Sequence, residues 1–118
     1  MMIERNGVVF FSDDHDYKNH AAYKELSKVS LGDVKFPSGF FLVDDGGKTF
    51  VVPATEDDRR MMILKAFPDT PEDAILSFCV VYDGGCRGNC AGLLPHRRCM
   101  RGCDESRRQY ACACVIIE

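Results

Sequence analysis

The sequence predicts an α+β domain: a small mixed or antiparallel sheet, two helices, and a cysteine-rich, metal-organised segment inserted before the C-terminal strand. Three observations lead there. Short β-branched and aromatic runs recur along the chain, two stretches carry helical apolar spacing behind acidic starts, and six of seven cysteines crowd into residues 84–114. A length of 118 residues suits one domain with its own core, spanning 1–118.

Gly7 to Phe11, GVVFF, is the first predicted strand. The next stretch, SDDHDYKNHAAYKELSKVS, places Tyr17, Ala21, Ala22, Leu26 and Val29 along one side behind a group of acids. It predicts a helix from about Asp16 to Val29. FFLV, then DDGG, then KTFVV reads as a hairpin over residues 40–52, because glycines supply the positive φ that a tight reversal needs. Thr55 and Asp58 form a capping-box-like T-x-x-D ahead of RRMMILKAF, a helix that Pro68 ends. Thr70-Pro71 can start a single turn before ILSFCVVYD, a strand, and QYACACVIIE is the last strand. Pairing those last two antiparallel makes residues 84–114 an excursion between them.

The composition, 46% apolar and 28% charged, is that of a globular chain. No apolar run approaches the roughly 18 residues of a membrane span. The N-terminal apolar run, Val8 to Phe11, is too short for a secretory signal, so the chain is expected in the cytoplasm. Reducing cytosol favours metal binding or redox work over lasting disulfides.

The six clustered cysteines follow Cys86-x3-Cys90-x8-Cys99-x3-Cys103-x8-Cys112-x-Cys114. Each x3 pair suits a zinc hook, and Cys86, Cys90, Cys99 and Cys103 form the preferred tetrahedral set. Cys112 and Cys114 then join a second ion with His96 or remain plain strand residues. About 30 residues with few large apolar groups need such ligation to order them. The competing set is Cys99, Cys103, Cys112 and Cys114: a helix over CMRGCDESRR and a strand over YACACVI would each put two sulfurs on one face. Cys79, flanked by apolar residues, is left over as a buried strand thiol.

That CxxxC and CxC spacing resembles the signature of secreted disulfide-stabilised defensins over about 16 residues, without their intervening cysteine. Gly84-Gly85 before the cysteines resembles the cleavage site in precursors of ribosomally made, modified peptides. That resemblance implies a leader, 1–85, and a core, 86–118. An iron–sulfur cluster lacks the usual ferredoxin spacing, and a thiol redox enzyme lacks a C-x-x-C pair.

Residues 79–118 carry six arginines against four acids, whereas residues 1–78 carry 14 acids against nine bases. Arg97, Arg98, Arg101, Arg107 and Arg108 are therefore the candidate contacts for nucleic acid or an acidic protein. The sequence leads to a non-enzymatic, zinc-organised interaction module with no membrane role.

Overall fold

A computed structural model of the chain describes residues 2–12, 19–21, 24–25, 28, 35–72, 79–82, 85–88 and 97–116. Nine strands and one helix are assigned among them: β1 (Met2–Arg5), β2 (Val8–Phe11), β3 (Lys35–Phe36), β4 (Phe40–Asp45), β5 (Lys48–Pro53), α1 (Glu56–Ala66), β6 (Cys79–Tyr82), β7 (Gly85–Gly88), β8 (Arg97–Asp104) and β9 (Gln109–Ile116). They build a six-stranded sheet in the order β1-β2-β8-β9-β4-β5 and a three-stranded sheet in the order β3-β6-β7. Every pairing is antiparallel.

This corrects the expected small sheet with two helices. The predicted helix from Asp16 to Val29 falls mostly outside the described residues, as does the turn expected after Thr70-Pro71. The cysteine-rich segment is not an excursion but a source of strands. Its β8 lies between β2 and β9 at the centre of the large sheet, and β6 pairs with β3 and β7 rather than with β9.

Side chains alternate across a strand, so β9 has two unlike faces. Ala111, Ala113 and Val115 point one way, where they join Val8, Phe10, Met100, Met62, Ile63 and Ala66 in a core beneath α1. Tyr110, Cys112 and Cys114 point the other way, into a core with Phe36, Phe40, Leu42, Cys79 and Cys103. The small sheet covers that second face.

Helix α1 starts as its sequence predicts. The Asp58 backbone N–H donates to Thr55 Oγ1 at 3.1 Å, and the Thr55 backbone N–H donates to Asp58 Oδ2 at 2.8 Å. Three acids in the first turn and Lys65 in the last complement the helix dipole. Gly102 lets the helix sit close, since a Cβ there would lie 2.8 Å from Met62 Cε and 2.8 Å from Phe10 Cε1. The burial of Met62 and Phe10, both fully enclosed, stabilises this layer by about 1.5–3 kcal/mol each.

Candidate functional site

The sulfurs do meet in space, as their spacing suggests, but they bond to one another. Cys79 of β6 is joined to Cys99 of β8, and Cys86 of β7 to Cys112 of β9, with Cα separations of 5.8 and 5.6 Å. Both separations are ordinary for disulfides. Each bond runs from the small sheet to the large one, so together they staple the two layers. Cys114 is disulfide-bonded as well, and Cys103 is the free thiol among the described cysteines. Cys90, Pro95 and His96 lie outside the described residues.

Zinc is therefore overturned. Thiolate is the ligand zinc needs, and Cys86, Cys99, Cys112 and Cys114 have no free thiolate to give. Among the described residues no group of three or more His, Cys, Asp or Glu side chains could hold a metal ion. An iron–sulfur cluster is lost on the same ground. The expected leftover was also the wrong cysteine: Cys79 is cross-linked, and Cys103 is alone.

The four sulfurs of the competing set do share one face, because β8 and β9 are strands. Cys99 stands directly opposite Cys114, Arg101 opposite Cys112, and Cys103 opposite Tyr110. No helix crosses Gly102. Burial pushes the Cys103 thiol up to about 12, beyond what its hydrogen bond with Tyr110 offsets, which makes it a poor nucleophile at neutral pH. A thiol redox centre at this residue is not supported by its environment.

The precursor reading also fails on placement. Residues 86–118 would be the released product, yet β8 pairs with β2 and β9 pairs with β4, both from the would-be leader. Gly85 begins β7, and the Cys79–Cys99 bond spans the glycine pair.

Of the candidate arginines, Arg107 and Arg108 have described acidic partners within the molecule. Arg107 pairs with Asp58 at 3.5 Å and lies over the Phe41 ring, 5.4 Å from its centroid. Arg108 pairs with Asp44 and, at 3.4 Å, with Glu25. Arg98 is exposed near one end of β8, Arg101 is half-buried on the sulfur face, and the Arg97 side chain is outside the described set.

A feature that the sequence reading missed is the outer part of the β4–β5 hairpin. Phe40 and Phe41 of β4 form the ladder with β9, and the Leu42 N–H reaches the Arg108 carbonyl, so the strands from Val43 to Phe50 run past that ladder. Val43, Phe50 and Val52 are 42%, 48% and 42% exposed. The register pairs Val43 with Phe50 and Phe41 with Val52, which puts all four side chains on one face. The alternation in FFLVDD and KTFVV was the signal, since Leu42 and Val51 take the core side and leave these residues outward.

A concavity of about 330 Å³ lies at the end of α1 beside Arg5, Asn6, Phe67, Asp69, Thr70 and Cys114. These residues include no nucleophile paired with a base. Comparison with protein-family models finds no match, and comparisons with curated proteins and with solved structures find none either.

Proposed function

We propose that this protein is a disulfide-stapled binding module of an oxidising compartment, which engages a protein partner through the exposed face of the β4–β5 hairpin. The observation that carries the reading is a contrast within one molecule. Two inter-sheet disulfides enclose 20- and 26-residue separations and tie the two sheets together, while the exposed Val43, Phe50 and Val52 stand together on a projecting arm. Lasting disulfides favour an oxidising setting over the cytoplasm. Clustered aromatic and aliphatic side chains that stand 42–48% exposed favour a protein surface as the ligand. The internal pairing of Arg107 and Arg108 favours protein over nucleic acid, because those charges already have anionic neighbours.

A photoreactive phenylalanine analogue at position 50, in the protein's native setting, tests this. It should cross-link to a defined protein species, and Val52→Lys should suppress the product. The same analogue at Met61, which is exposed on α1, is the control. Equal products from both positions, or none from either, would contradict the reading.

A further inference from the structure

We infer that the open edge of β5 pairs with β5 of a second copy of this chain, antiparallel about a two-fold axis at Val51; this rests on the hairpin as the binding surface and names its occupant. Strand β5 is the last in the large sheet, so one side of it is unpaired among the described strands. Gly46 and Gly47 both have positive φ, 58° and 81°, the two-residue turn that makes Asp45 and Lys48 the closing hydrogen-bonded pair.

From that pair outward, hydrogen-bonded and non-hydrogen-bonded positions alternate. Lys48, Phe50 and Val52 bond inward to β4, and Thr49, Val51 and Pro53 direct their peptide groups to the open side. Two backbone bonds agree with this phase: the Leu42 N–H donates away from β5 to the Arg108 carbonyl at 3.0 Å, and the Ala54 N–H donates to the Gly39 carbonyl at 3.0 Å.

The edge is complementary to itself. Antiparallel pairing with Val51 against Val51 of the second copy lets each Val51 N–H donate to the other's carbonyl, and each Thr49 N–H donate to the carbonyl of the other's Pro53. Pro53 has no N–H to leave unpaired on that outer pair. On the exposed face, Phe50 of each copy then meets Val52 of the other, and the two Val43 side chains extend the same apolar strip. Lys48 is the one charged residue of the strand, and in this register it lies opposite Ala54, two residues before Glu56 and three before Asp57. Opposite charges thus approach at both ends of the paired strands.

The strip is small beside the roughly 1,600 Å² of a standard interface, so the dimer should be weak, with a dissociation constant on the order of 10–100 μM. Sedimentation equilibrium of the oxidised full chain should show mass rising from 13.2 kDa toward twice that value across this range. Phe50→Lys, at a half-exposed position, should keep the monomer fold by circular dichroism and weaken association at least about tenfold. Under mild oxidation Val51→Cys should form a disulfide between residues 51 of two chains, identified by peptide mapping, while Met61→Cys should not. A monomer at millimolar concentration, or equal cross-linking from both cysteine variants, overturns the inference. If position 50 still cross-links to a different protein in that case, self-pairing alone has failed; if it cross-links to nothing, the hairpin reading has failed with it.

Discussion

The two faces of the large sheet are closed by different physics, although neighbouring residues of the same strands supply both. Under α1, Ala111, Ala113, Val115 and Met100 pack against Met62, Ile63 and Ala66, and this apolar burial holds the layer together with the Arg59 Nε–H bond to the Cys112 carbonyl and the Lys65–Asp104 ion pair. On the opposite face, Cys99, Cys112 and Cys114 sit one residue out of step, and the covering sheet has strands of only two, four and four residues. Its described contribution to the shared core is small: Phe36 and Cys79, with Cys86 packed at the margin. Strands this short are tied to the large sheet by the two disulfides, the kind of covalent support that small cores generally use. Where metal ligation was expected to order the cysteine-rich segment, disulfides tie its strands instead.

Breaking a staple is the harshest test of this contrast. Cys79→Ala with Cys99→Ala opens a loop of 20-residue separation and should cost about 3 kcal/mol by the chain-entropy relation, lowering Tm by about 10–15 °C in calorimetry. The expected loss is largest here because no ladder among the described strands joins β6 to β8. The opposite face should respond to packing instead. Gly102→Val drives methyl groups toward the Phe10 ring and Met62, and should cost about 2 kcal/mol in denaturant unfolding without altering the disulfides. Adding Met62→Ala should recover part of that loss, a sub-additive result that a purely backbone effect of the first substitution would not give.

How much of this was legible follows from the same residues. The β4–β5 hairpin, the Thr55 capping box and the stop at Pro68 are local devices, so their residues suffice to read them. Strand β1 escaped notice although Asn6-Gly7, both at positive φ, joins it to β2 in a tight turn. Strand β8 was harder, because CMRGC satisfies a helical i, i+4 spacing and a strand's i, i+2 alternation at once. Only the packing of Gly102 beneath Met62 and Phe10 decides it, and that is a long-range contact. Disulfide partners are equally non-local, because Cys79–Cys99 and Cys86–Cys112 join residues of different sheets.

An electrostatic seam sharpens the comparison at smaller scale. Asp104 is fully buried, and Lys65 Nζ reaches its two carboxylate oxygens at 3.2 and 3.1 Å. Burial would raise its pKa, but hydrogen bonds from Ser106 and Lys65, with the Lys65 charge, outweigh burial and hold it below the ordinary value. A depressed carboxyl contributes stability above its unfolded pKa, about 3.9, and loses it as pH falls through the folded value. Lys65→Met should cost about 1–2 kcal/mol at pH 7, a figure discounted because Lys65 is more than a third exposed, and should flatten the loss between pH 5 and pH 3. Denaturant midpoints across that range check both statements.

The smallest effect belongs to the unpaired thiol. Cys103→Ala removes a buried sulfur but no cross-link, so it should cost about 1 kcal/mol and leave both staples intact. The native thiol should resist alkylation at pH 8 until the protein is unfolded.

Peptide mapping of the unreduced, alkylated protein by mass spectrometry tests the central claim most directly. The account predicts one linked pair joining Cys79 to Cys99, a second joining Cys86 to Cys112, and label on Cys103 only after unfolding. Free, readily alkylated thiols at Cys79, Cys86, Cys99 and Cys112 in a protein that keeps its fold would contradict it.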